Sequence, residues 1–185
     1  QRVIRLNQVE LNKNYALVIT TNSGLWRYLI GDTIRFTSLS PYRIKVTGRT
    51  KHHINVFGEE LMVENTDAAI AKTCALFDCE IVDYTVAPVF MSETQKGSHE
   101  WIIEFKNPPE DVEKFSMILD ENIQSLNSDY EAKRYNNMTL NPLVLNVARK
   151  NLFYDWLKQN DKLGGQHKIP RLSNDRNYLE SLLNL

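Results

Sequence analysis

The sequence predicts an α+β chain in two parts: a small antiparallel β-meander, then a larger body in which strands and helices mix. Three observations predict it. Residues 15–21, 25–30, 33–37 and 42–46 are short β-rich runs set apart by turn clusters, Asn22-Ser23-Gly24 and Ser38-Leu39-Ser40-Pro41 among them. Gly48-Arg49-Thr50-Lys51 then reads as a polar connector. Beyond it the apolar spacing becomes helical over two stretches that bracket two longer strand-like runs.

The elements follow in order. In the first part the strand-like run 25–30 ends in a Gly31-Asp32 corner, and 42–46 alternates cleanly up to Gly48. In the second, residues 54–57 form a short strand closed by Gly58. Asn65 or Thr66 can cap a helix carrying Ala69, Ile70, Cys74 and Phe77 on one face. Strands 81–91 and 100–106 follow, joined by the polar stretch 92–99, where Gly97 suits a hairpin turn. Pro108-Pro109 opens a helix to about Ser128, with Val112, Phe115, Met117, Ile118, Leu119, Ile123 and Leu126 as its buried stripe. A strand over 143–147, a helix over 152–159, a Gly164-Gly165 loop and a closing helix over 174–183 complete the chain.

Composition narrows the function classes. With 185 residues, 42% hydrophobic and 24% charged, the chain can bury a core and is neither disordered nor fibrous. Lys plus Arg number 22 against 23 Asp plus Glu, so no general field attracts nucleic acid or an acidic membrane, and any anion site is local. No apolar run approaches the roughly 18 residues that span a bilayer. Cys74 and Cys79 form neither a CxxC pair nor a zinc-ligand pattern, which makes a reducing cytoplasm the expected setting. The chain opens on Gln1 and runs almost at once into strand-like text, so it is expected to be the carboxyl-terminal part of something longer.

Four residues stand out as chemistry. Asp32 follows a glycine that permits close approach, and its carboxylate can accept two hydrogen bonds from a vicinal diol such as a ribose; an acid bonding its own backbone in a tight turn is the plainer alternative. Arg49 can hold a ribose or phosphate oxygen with its fork, and Lys51 can sit on a rotating bond, against the plain reading of solvated basic residues in a turn. Lys168 stands in Gly164-Gly165-Gln166-His167-Lys168-Ile169-Pro170-Arg171, delivered on a glycine-loosened loop that Pro170 stiffens, with Arg171 as an anchor. It reads as a lysine that reaches toward negative charge, or as an ordinary surface lysine.

Other candidates read as structural. Trp26 and Tyr28 share one face of their run and are expected to pack in a core, while Glu59 and Glu60 can orient Lys51 or open the following helix. His52 and His53 point to opposite sides, His99 lies in the turn, and no histidine is given a chemical role. No serine or cysteine nucleophile arrangement is visible.

Three segments together resemble the carboxyl-terminal part of the AMP-forming adenylating enzymes, and more closely the auxin-responsive acyl-acid amido synthetases and their bacterial relatives. Gly24-Leu25-Trp26-Arg27-Tyr28-Leu29-Ile30-Gly31-Asp32 is similar to that family's Gly-Leu-aromatic-Arg-Tyr-x-x-Gly-Asp motif. Gly48-Arg49-Thr50-Lys51, running on to Leu61, resembles the superfamily hinge, and Gln166-His167-Lys168-Ile169-Pro170-Arg171 resembles the Gln-x-Lys-x-Pro-Arg tail. The resemblance implies that Asp32 holds the ATP ribose, Arg49 contacts the nucleotide, Lys51 is the pivot and Lys168 contacts ATP during adenylation. His167 stands where the wider superfamily has glycine, which favours the amido synthetase branch, and Asn55 stands where some hinges carry lysine. The phosphate loop and adenine motif would lie upstream of Gln1.

The implied organisation is residues 1–47 closing a large adenylating domain, 48–52 as hinge and 53–185 as a mobile α+β cap. The implied reaction joins a carboxylic acid to an amino acid through an acyl-adenylate, with ATP and Mg2+. A coenzyme A ligase and a non-catalytic α+β module are the alternatives.

Overall fold

One long strand organises the start of the chain. β2 (Tyr28–Leu39) pairs antiparallel with β1 (Asn14–Ile19) on one side and β3 (Tyr42–Arg49) on the other. The computed structural model describes residues 3–50, 53–164 and 168–185, and the chain divides into two compact units, Gln1–Lys51 and His52–Leu185.

The expected Gly-Asp corner is instead the interior of β2. Ala16 pairs with Thr33 but Val18 with Leu29, so three residues of β2 stand opposite one of β1. Gly31 absorbs this bulge at φ 93°, a conformation that costs glycine little and other residues more. Arg27 at φ 47° breaks the extended backbone just before Tyr28, so the expected strand over 25–30 begins only at its end. Trp26 is 79% exposed and Tyr28 51%, which corrects the expectation that they pack in a core. Among the described residues of this unit the buried hydrophobic side chains are Ile34 and Phe36, with Tyr15 and Tyr42 edge-on to the Phe36 ring at 6.0 Å each.

The second unit is built on a sheet of β6 (Glu80–Val89), β7 (Ser98–Asn107) and β8 (Val144–Val147), antiparallel then parallel. Both faces are covered. Tyr84, Val86, Trp101, Ile103 and Phe105 face α1 (Val63–Phe77) and α2 (Val112–Leu126), while Ala87 and Ile102 face α4 (Leu152–Gln159) and α5 (Asn177–Leu183). Glu104, 3% exposed, accepts the N–H groups of Asn151 at 2.7 Å and Phe153 at 3.3 Å, so its charge meets the start of α4.

Several boundaries move for local reasons. The strand expected over 54–57 is only β4 (His53–Ile54), paired with β5 (Leu61–Met62). Helix α1 is capped at Met62, whose N–H donates to the Asn65 side-chain oxygen Oδ1 at 3.0 Å, rather than at Asn65 or Thr66. Asp111, which accepts from Lys114 N–H at 2.9 Å, starts α2 three residues after Pro108; Met117 is 64% exposed. Asn127 interrupts the long helix and caps α3 (Ser128–Arg134), held by buried Arg134 and Tyr130 on Asp120. Helix α5 starts at Asn177, leaving Asn174 in the preceding loop.

Gly97 precedes β7 rather than forming a hairpin tip, and a Cβ there would lie 2.6 Å from the Phe57 ring. Gly97→Ala is therefore expected to lower stability by about 1–3 kcal/mol in denaturant unfolding. Adding Phe57→Leu should recover part of that loss, and a Gly97→Ala protein as stable as wild type would contradict the close approach.

Candidate functional site

Backbone pairing places two of the four candidate residues. In the first unit Asp32 and Arg49 are cross-strand partners on β2 and β3, so the two positions proposed for nucleotide contact stand opposite one another. Thr50 closes the end of β3 back onto β2, its N–H at 2.7 Å and its hydroxyl at 3.2 Å from the Gly31 carbonyl. Thr33 and Thr47 hydroxyls bond at 3.1 Å beneath them. In the sequence Thr50 reads as one more polar turn residue, and nothing there marks its closing role. Lys51 and His52 lie outside the described residues.

In the second unit Lys168 is exposed, and the residues after it are fixed. Ile169 is buried at 5% exposure, and the Pro170 carbonyl accepts the Thr85 hydroxyl at 2.7 Å. Val86 N–H donates to the Arg171 carbonyl at 2.9 Å, while Ser173 N–H donates to the Val86 carbonyl at 3.1 Å. These bonds add the segment around Leu172 to the edge of β6 as a short parallel bridge. Residues 165–167, including the Gln166 and His167 of the tail motif, lie outside the described residues.

Arg171, expected to anchor the loop, is paired to the body of this unit. Its Nη1 meets both Asp67 oxygens at 2.8 and 2.7 Å, and its guanidinium lies 5.2 Å from the centre of the Tyr84 ring. The Tyr84 hydroxyl donates to Asp67 at 2.6 Å, and burial followed by the Asp67 carboxylate pushes its pKa upward, so it stays a donor. Burial raises the Asp83 carboxyl above its ordinary value, opposed by the Tyr84 N–H and the charges of Arg171 and Lys168.

Glu59 and His99 form a buried pair to which the sequence gives no chemical role. Both side chains are fully buried, with His99 Nε2 2.9 Å from Glu59 Oε1 and the Phe57 N–H 2.7 Å from Oε2. Thus Glu59 neither opens α1, which starts at Val63, nor faces solvent, and His99 is in β7 rather than a turn. The imidazole is stacked on Tyr130 at 5.3 Å and tilted against Phe57 at 6.2 Å. No sequence pattern flags this, because the partners are 40 residues apart.

Comparison with known proteins then places the chain. Residues 1–49 match the GH3 family central domain and 64–177 the GH3 family C-terminal domain. The chain belongs to the GH3 family. It is 26% identical to indole-3-acetic acid-amido synthetase GH3.3 of Arabidopsis thaliana, over 91% of this chain and 30% of that protein. It is 25% identical to jasmonoyl-L-amino acid synthetase GH3.5 of Oryza sativa subsp. japonica, over 94% and 31%. Among solved structures, the GH3.15 acyl acid amido synthetase superposes with a TM-score of 0.75 at 23% identity, covering 98% of this chain and 35% of that one. The mixed α+β fold is thus that of the GH3 proteins, and the chain spans about a third of the length of the relatives it matches. Among the described residues no helix is long and apolar enough to cross a membrane.

The buried pair generates a pH prediction. Burial pushes the Glu59 carboxyl up, but the His99 bond and charge, with backbone N–H groups, outweigh it and hold the pKa below the ordinary glutamate value of 4.5. A carboxyl depressed by folding stabilises above its unfolded pKa and loses that contribution as pH falls through its lower folded value. Glu59→Gln should therefore cost about 1–3 kcal/mol at pH 7, with the difference from wild type shrinking below pH 4.5. A difference that stays constant in denaturant titrations from pH 7 to 3 would contradict this assignment.

Proposed function

We propose that this chain supplies the nucleotide-contacting edge, the hinge and the mobile cap of an ATP-dependent acyl-acid amido synthetase. Supporting this are GH3 family membership and three motifs: Asp32 at the end of the Gly-Leu-aromatic-Arg-Tyr run, Arg49 at the connector, and Lys168 in the Gln-x-Lys-x-Pro-Arg tail. A carboxylic acid attacks the α-phosphate of ATP, giving an acyl-adenylate and pyrophosphate; the amine of an amino acid then displaces AMP to form the amide. Residues 1–47 belong to the large domain, 48–52 are the hinge with Lys51 its pivot, and 53–185 are the cap. With both cysteines free, the proposed setting is a reducing cytoplasm.

One observation carries the reading: Lys168 is exposed at the end of a segment whose next five residues are fixed to β6 and the core. A cation held so at its base and exposed at its tip can meet charge that develops on the phosphates, where a preorganised contact acts most strongly. Asp32 accepts from the ribose hydroxyls and Arg49 grips the nucleotide with its fork. Mg2+ would accompany ATP and offset charge on its phosphates. Cap rotation between the half-reactions would withdraw Lys168 before the amine enters.

In the full-length protein, Lys168→Ala is expected to slow adenylation on the order of 10²-fold, read by ATP–pyrophosphate exchange. A carboxylate panel including indole-3-acetic and jasmonic acids would supply the substrate. Aminolysis of supplied acyl-adenylate should be spared. Equal loss in both steps contradicts the role of Lys168, and absence of exchange with every acid in the wild type contradicts adenylation itself.

A further inference from the structure

The segment that carries Lys168 is tied to the first residues after the connector. Asn174, in the loop before α5, donates from Nδ2 to the His53 carbonyl at 2.6 Å and accepts the Asn55 N–H on Oδ1 at 2.9 Å. The carbonyl of one residue and the N–H two positions on face the same edge of an extended chain. One carboxamide therefore satisfies both, as a neighbouring strand would. β4 is two residues long and its other edge is occupied by β5, so Asn174 closes its remaining edge. The same loop is bound upstream: Ser173 N–H and the Arg171 carbonyl hold Val86, Pro170 holds Thr85, and Ile169 is buried next to Lys168.

We propose that Asn174 is a positioning residue that couples the connector to Lys168. This rests on the adenylation reading above and names the coupling by which a turn at the connector would carry the lysine with it. Ile54 and Leu172 are buried in the same core, and the Asn174 carboxamide adds the hydrogen-bonded contact between residues 53–55 and the segment that leads back to Lys168. Asp can still accept from Asn55 N–H but presents an oxygen, not a donor, to the His53 carbonyl. Ala loses both bonds.

The test uses the full-length protein with the acid that gives the fastest ATP–pyrophosphate exchange. Asn174→Ala is expected to slow exchange roughly 10-fold or more, as small misplacement of a catalytic group does, with the KM for ATP little changed and aminolysis of supplied acyl-adenylate near wild type. Asn174→Asp should show the same selectivity to a smaller degree, and serves if the alanine variant folds poorly. In a Lys168→Ala background, Asn174→Ala should have no further effect on exchange, because the residue acts only through the lysine. Equal slowing of both half-reactions, or undiminished loss in the Lys168→Ala background, makes Asn174 merely structural and overturns the inference. Wild-type exchange with an unaffected Asn174→Ala enzyme overturns this inference alone; no wild-type exchange with any acid overturns the adenylation reading on which it stands.

Discussion

The docking of residues 171–173 along the edge of β6 is the constraint on which the functional unit depends. Two backbone hydrogen bonds to Val86 and one from the Thr85 hydroxyl fix the path, and Leu172 and Ile169 are buried at 0% and 5% exposure. Burying two such side chains contributes on the order of 1.5–3 kcal/mol each, whereas a half-exposed ion pair like Arg171–Asp67 contributes about 0–1. Apolar burial therefore holds the segment down, and the ion pair orients it. Lys168, one residue before the buried Ile169, is itself exposed.

The loop after the connector meets the opposite difficulty. β4 and β5 contribute two residues each and cannot stabilise themselves. Buried Glu59 compensates by accepting from Phe57 N–H and pairing with His99, which is itself packed between Phe57 and Tyr130. A buried carboxylate is costly unless bonded on both oxygens, as this one is. Gly97 leaves room for Phe57 to complete that wall.

Long, strongly patterned elements are legible in the sequence: β3, β6, β7, α1, α2 and α4 all lie close to where the periodicity puts them. A contact made by Arg171 can also be expected, because Pro170-Arg171 follows the glycine loop closely, and it orients the segment through Asp67. Misreadings cluster where a single backbone angle or a distant partner decides. Arg27 and Gly31 at positive φ move the start of β2 and turn a corner into a bulge, and nothing in the hydrophobic pattern encodes an angle. Trp26, an aromatic in an apolar run, has the look of core but is 79% exposed.

The sequence by itself determined the fold class and offered Asp32, Arg49, Lys51 and Lys168 as motif residues, because local propensity and motif spacing are properties of neighbours along the chain. Only the tertiary structure decided that Asp32 stands opposite Arg49, that Glu59 buries its charge against His99, and that Asn174 clamps residues 53–55. Those contacts join positions 17, 40 and about 120 residues apart, and their energy comes from desolvation and hydrogen-bond geometry that exist only once the sheet and helices have packed.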